Sequence, residues 1–119
     1  MNKIILSGNL ARDPELLYSK ENNVPYSRNV IAVYDTIGKT THFIPFVIFK
    51  KDAETFCNFC KKGSSICITG YITRDKYQNI DNETVYKTNI VCEKFEFLGK
   101  KKKPQDEASD LKLASSDDL

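Results

Sequence analysis

A chain of 119 residues, 40% of them hydrophobic and with a formal net charge of +2, is one domain plus at most a tail, long enough to bury a core without metal or disulfide staples. No apolar run approaches the roughly 20 residues of a membrane span, and the opening M-N-K-I-I-L-S is too short for a signal peptide, so a cytoplasmic protein with its four cysteines reduced is expected. The small net charge excludes any argument from bulk basicity; only the position of charges can point to an anionic partner.

In chain order, residues 3–10 (K-I-I-L-S-G-N-L) read as a strand, with Gly8 where a sharply bent strand wants no side chain. Asp13-Pro14 turns the chain and residues 16–18 resume a short strand, followed by a polar loop over 19–23. Residues 25–36 form a long strand: Ile31 and Val33 point one way, while Tyr26, Arg28, Val30, Ala32 and Tyr34 point the other. Asn29 falls in the Ile31 row and disagrees with burial there. Residues 36–41 make a hairpin loop into the most apolar run of the chain, T-H-F-I-P-F-V-I-F-K-K over 41–51.

That run reads as the central strand, and both of its faces are apolar. Ile44, Phe46 and Ile48 form one row, Phe43, Pro45, Val47 and Phe49 the other. A strand oily on both sides is either sandwiched between layers or keeps one face for a ligand. Rings beside Lys50 and Lys51 suit single-stranded nucleic acid, which offers bases to stack and phosphates to neutralise. Pro45 lacks a ladder donor, so its nitrogen is expected at an unpaired position or a bulge.

After Lys51 the period lengthens to that of a helix of about three turns. Asp52 is the expected N-cap, and Ala53, Phe56, Cys57 and Cys60 share a face. Lys61 and Lys62 are expected to favour the C-terminal dipole before Gly63 stops the helix. Residues 65–77 form a strand with Ile66, Ile68, Gly70 and Ile72 on one face and Thr69, Tyr71, Thr73 and Tyr77 on the other. A hairpin loop over 78–83 leads to a last strand over 84–98. Residues 1–98 are thus the domain, and 99–119, opening with Lys100 to Lys103 and ending rich in serine and aspartate, are expected to be a disordered, charged tail.

Strand, strand, strand, helix, strand, strand, with a bend glycine in the first, is the order of a five-stranded Greek-key OB-fold barrel: all-β with one short helix. The run I-I-L-S-G-N-L-A-R-D-P-E-L over 4–16, with Tyr18 after it, closely resembles the opening of bacterial single-stranded DNA-binding proteins. F-V-I-F over 46–49, K-K-G-S over 61–64, and the segment from Gly70 to Tyr77 ending T-R-D-K-Y also resemble that family. The resemblance covers residues 1 to about 98.

What the resemblance implies is a non-enzymatic protein that coats single-stranded DNA without strong sequence preference in replication, recombination and repair, as a homotetramer or a dimer, in the cytoplasm at the nucleoid. Phe43, Phe49 and Tyr77 stand where the family stacks bases, with Tyr34 or Ile37 nearest to a further stacking position in the loop after the second long strand. Lys3, Arg12, Arg28, Lys50, Lys51, Arg74 and Lys76 are the expected phosphate contacts. Tyr71, Tyr86 and Phe59 read as packing or subunit contacts. The family's tail ends in aspartates and an Ile-Pro-Phe tip that docks on replication and repair proteins; here Asp117, Asp118 and Leu119 form a reduced tip without the Pro-Phe pair. An OB module for RNA, a replication-restart accessory and a protein-interaction module are the alternatives.

A metal is not expected: Cys57 and Cys60 already serve a helix face, and Cys67 and Cys92 are not paired at ligand spacing. No cofactor is called for either. His42, the single histidine, has no nucleophile or orienter near it in sequence, so hydrolytic catalysis has no residue set to rest on.

Overall fold

The two-residue alternation of the long strands and the change of period after Lys51 carry through to the elements. In the computed structural model, residues 1–99 are described: β1 (Ile4–Leu10), β2 (Leu17–Tyr18), β3 (Pro25–Asp35), β4 (Thr40–Phe49), α1 (Lys50–Phe59), β5 (Ser65–Gln78) and β6 (Thr84–Gly99). The strands run β1-β5-β6-β4-β3-β2 across one sheet, and β1 returns to β3. Five strands therefore close a ring, and β2 is a short flank on β3. The closure is the OB-fold barrel, which leaves few open edges.

Two joints shut the ring. β1 pairs with β5 from Ile4 to Asn9, then meets β3 at Asn9–Ala32 and Leu10–Ile31. To serve both neighbours it passes so close to β3 that a Cβ on Gly8 would stand 2.1 Å from the Ala32 carbonyl oxygen. The second joint is the short parallel contact of β4 with β6, Val47–Val91 and Ile48–Cys92. Beside it a bulge shifts the β5–β6 register between Thr69 and Gly70, and a Cβ on Gly70 would lie 2.0 Å from the Val91 carbonyl oxygen. Pro45 faces Val30 in the β3–β4 ladder. On the other side of β4 pairing begins only at Val47, so a residue without an N–H is accommodated there.

The inward rows supply the core: Leu10, Ile31, Phe46, Ile48, Ile66, Ile68 and Cys92, closed at one end by Ala53, Phe56 and Cys60. Phe56 is packed edge-to-face between Phe46 and Phe95. Asn29, which disagreed with its row, is buried all the same. It lies beside buried Ser27, whose hydroxyl accepts from its Nδ2 at 3.2 Å, and a paired polar group avoids the cost of an orphaned one. Burial pushes the thiols of Cys60 and Cys92 up to about 11 and about 12; Cys57 adds to the first, while a hydrogen bond with the Lys94 backbone opposes the second. Both stay neutral at neutral pH and pack as small hydrophobes.

The helix corrects two expectations. Phe49, not Asp52, is its N-cap and makes no side-chain cap; Asp52 lies in the first turn, where its charge still suits the dipole. The helix ends at Phe59 with Cys60 as C-cap, so Lys61 and Lys62 fall outside its last turn. They belong instead to a knot that ties the helix exit to β1. The Lys62 N–H donates to the Asp13 carboxylate at 2.8 Å, Gly63 N–H to the Leu10 carbonyl at 2.8 Å, and Asn9 Nδ2 to the Gly63 carbonyl at 3.1 Å. The G-N-L-A-R-D-P run at the start of the chain is thus largely a joint.

Past the barrel, β5 and β6 continue as a two-stranded arm. β1 reaches only Gly70 of β5, and β4 reaches only Val91 and Cys92 of β6, while the β5–β6 ladder runs on to Gln78–Thr84. Ile72, expected in the core row, is therefore 41% exposed. Apart from Gly99, the tail expected over 99–119, with Lys100 to Lys103, Asp117, Asp118 and Leu119, lies outside the described residues.

Candidate nucleic-acid interface

In an antiparallel ladder, residues directly opposite share a face. The β3–β4 register sets Tyr34 opposite Thr41, Ala32 opposite Phe43, Val30 opposite Pro45, Arg28 opposite Val47 and Tyr26 opposite Phe49. The second apolar row of β4 and the mixed row of β3 therefore form one surface. It faces outward: Phe43 is 66% exposed and Phe49 41%, against 3% for Phe46 and 0% for Ile48 in the other row. Of the two readings of an all-apolar strand, the chain adopts the one with a free face.

The same surface continues onto the arm. Val47 pairs with Val91, and Val91 with Tyr71; Tyr77, an even number of residues further along β5 with no bulge between, is on that side. Tyr77 is 47% exposed. Phe43, Phe49 and Tyr77 are thus rings on one continuous face drawn from two strands, β4 and β5, that β6 separates in the sheet. Tyr34, 59% exposed, stands at the far end of β3 over a cleft shared with Gly8 and Leu98. Its hairpin is stiffened by Asp35, whose Oδ1 accepts from the Ile37 and Gly38 N–H groups at 3.0 Å and whose Oδ2 is 3.3 Å from His42 Nε2. The Gly38 bond first, then His42, holds the Asp35 carboxyl below its usual value of 3.8. Ile37, in the loop itself, is fully exposed.

The cations divide into groups. Arg12 and Arg28 line a cleft of ≈ 210 Å³ between barrel and arm, with Pro45, Val47 and Asn89; Arg12 donates to the Arg28 carbonyl at 3.3 Å. Lys50 and Lys51 are exposed at the helix start, next to Phe49, and Lys50 holds a φ of 64°. Arg74 and Lys76 are adjacent to Tyr77 in sequence but have opposite parity, so they lie on the other face of the arm. There the Arg74 guanidinium sits 5.1 Å over the Tyr86 ring and donates to Thr88 Oγ1 at 3.3 Å. Lys3 is paired with Glu93 at 3.1 Å, and both side chains are about half exposed.

Sequence reading missed Lys20, which lines the cleft with Tyr26, Arg28 and Phe49, and Lys87. Lys87 lines the same cleft as Arg12 and Arg28 and stands opposite Asp75, on the face of Tyr77. The signal was available: closing the hairpin over 78–83 pairs Tyr77 with Val85 and hence Asp75 with Lys87. Tyr26 was also missed, although its row was assigned correctly. Next to Lys87, Asp75 accepts from Asn89 Nδ2 and Thr73 Oγ1, which fixes the polar part of this face.

Exposed rings interleaved with Arg and Lys along one sheet surface can stack flat bases while neutralising the linking phosphates. Among the described residues, no cluster of three or more His, Cys, Asp or Glu converges as a metal site, and no helix is long and apolar enough to cross a membrane.

The profile of the Single-strand binding protein family matches residues 1–98. Single-stranded DNA-binding protein 1 of Streptococcus pyogenes is 36% identical over 106 residues, covering 85% of this chain and 81% of the relative. The single-stranded DNA-binding proteins of Oceanobacillus iheyensis and Enterococcus faecalis are 34% and 32% identical, each covering 82% of this chain, which spans 63% and 54% of their respective lengths.

Proposed function

The chain belongs to the single-strand binding protein family, and on that premise we propose that it binds single-stranded DNA without strong sequence preference, coating and protecting the strand in replication, recombination and repair. The observation that carries this reading is the outward apolar row of β4, continuous with Tyr77 and edged by Arg12, Arg28 and Lys87. Stacking is tolerant of sequence because every base has a π-face.

In this reading bases stack on Phe43, Phe49 and Tyr77, with Tyr34 extending the track at the β3–β4 hairpin. Phosphates are neutralised by Arg12, Arg28, Lys50, Lys51 and Lys87 along the face. Arg74 and Lys76 reach them around the arm, which is only one strand spacing of ~4.8 Å wide. Lys3 contributes once Glu93 releases it; an exposed pair of this kind is worth ~0–1 kcal/mol, so release costs little. The role is binding rather than catalysis, in the cytoplasm at the nucleoid. A homotetramer or dimer lets one strand pass over several barrels, and Asp117, Asp118 and Leu119 dock replication and repair proteins. Removing residues 105–119 then abolishes capture of those proteins and leaves strand binding equal or tighter at low salt; a truncated chain that keeps every partner, or loses DNA binding, would overturn this reading of the tail.

Titration with single-stranded DNA, RNA of the same sequence and duplex DNA tests the function, with tight binding expected for the first alone. Log affinity should fall linearly with log salt by ~0.7 per phosphate contact, and Arg28→Gln, which removes a cation from the cleft, should flatten the slope by about one contact. Equal affinity for duplex would reject the single-strand reading.

A further inference from the structure

Phe43 and Tyr77 are open platforms: among the described residues no second ring faces either of them. The Phe49 end of the surface is different. Tyr26 stands directly across the ladder from Phe49, with ring centroids 6.4 Å apart and planes at 39°. The core rings make closer and steeper contacts, Phe46–Phe56 at 5.9 Å and 89° and Phe56–Phe95 at 5.0 Å and 87°. Those are the edge-to-face arrangements by which rings satisfy one another. Tyr26 and Phe49 have not closed in that way, and both line an open cleft of ≈ 430 Å³ whose other wall is the loop carrying Ser19, Glu21 and Asn22.

We propose that Tyr26 and Phe49 form an inclusion site for one nucleobase of the bound strand, held between the two rings. A base stacked on both faces needs rings separated by about twice the ~3.4 Å rise of stacked bases. The observed centroid separation of 6.4 Å at 39° is that of a tilted pair and not yet a parallel gap; inclusion requires the rings to turn about χ2, a soft torsion for aromatic side chains, and to part by a few tenths of an ångström. Arg28 completes the site. Its guanidinium lies 5.8 Å over the Tyr26 ring, approaching along β3 while Phe49 approaches across the ladder. It also lines the neighbouring cleft with Arg12 and Lys87. One side chain thus braces the inner ring and stands where the strand passes from one cleft to the next, placed to take the phosphate of the included nucleotide. The loop wall provides hydroxyl, ammonium, carboxylate and amide groups, from Ser19, Lys20, Glu21 and Asn22, at the edge of the base.

The inference rests on the single-strand reading, and its test separates the two. An oligothymidine strand carrying one photoreactive iodinated deoxyuridine is bound to the unaltered protein and irradiated, and the crosslinked peptides are identified by mass spectrometry. Crosslinks from one base position to both Tyr26 and Phe49 are expected. In parallel, Tyr26→Leu keeps apolar bulk and removes the ring; about 10-fold weaker binding of oligothymidine is expected, the effect of losing one base stack, with an unchanged salt slope. Crosslinks to Phe43, Phe49 and Tyr77 that spare Tyr26, or a folded Tyr26→Leu that binds as tightly as the parent, would overturn the inclusion site and leave the single-strand function standing. If Tyr26→Leu does not fold, the crosslinking result on the unaltered protein decides. Failure of the unaltered protein to bind the strand at all would overturn the functional reading itself.

Discussion

Phe49→Ala is expected to weaken binding to single-stranded DNA by about 1–3 kcal/mol, roughly 5- to 150-fold, while the protein remains folded. The two halves of this expectation come from one fact: the Phe49 ring is 41% exposed and lies outside the buried core cluster. Among the described residues its aromatic neighbour is Tyr26, in a tilted contact, so truncation removes a half-exposed ring rather than a core brace. Phe49 also occupies the N-cap of α1, but its side chain makes no capping bond, and the helix start does not depend on the ring. Fluorescence anisotropy of a labelled oligothymidine measures the first half and a thermal melt the second. A variant that binds normally would take Phe49 out of the strand's path; one that unfolds would show the ring to be structural.

Gly8→Ala should act in the opposite way, on the fold and only through it on binding. The added Cβ would stand 2.1 Å from the Ala32 carbonyl oxygen and 3.0 Å from the Ala32 carbonyl carbon. The obstacle is backbone in the adjoining ladder, so no side chain can swing aside. Relief requires β1 and β3 to separate where Asn9 pairs with Ala32 and Leu10 with Ile31, and those pairs close the ring. Overpacking of a fitted site costs about 1–3 kcal/mol, occasionally more, and here the strained contact is the barrel seam itself. A drop in the denaturation midpoint of at least that size is expected, together with weaker DNA binding that recovers under stabilising conditions. An unchanged midpoint would mean that β1 can move away from β3 at no cost to the ring. Phe49→Ala and Gly8→Ala thus separate a residue proposed to touch the strand from one that shapes the surface beneath it.

The expected elements and their faces were legible because strand alternation is local. The rows of β3 and β4, the glycine in β1 and the loop positions follow from side-chain period and turn chemistry alone, whereas the free face of β4 was one of two readings until the exposure of Phe43 and Phe49 decided it. The helix ends were less legible: Asp52 has the chemistry of a cap, but the chain enters α1 directly from β4 through Lys50 with a φ of 64°, which leaves no turn for Asp52 to close. Asn29 was visible as an exception to its row, but its burial depended on Ser27, two residues away on the same face.

What the sequence by itself determined is therefore the kind of surface: aromatic rings beside cations on a strand with a spare apolar face, in a small β-barrel. What only the tertiary structure decided is which of those residues meet. Alternation alone already separates Arg74 and Lys76 from the face of Tyr77, but that Arg74 settles over the Tyr86 ring across the arm is a matter of the fold. Lys87, far from Arg12 and Arg28 in the chain, joins them in one cleft. The ladder register likewise brings Tyr26 opposite Phe49. A strand's period assigns each side chain to a face and a hairpin sets the register of its own two strands, but which hairpins lie side by side is set by ring closure, where β4 meets β6 at Val47–Val91, a property of the folded barrel and not of any one segment.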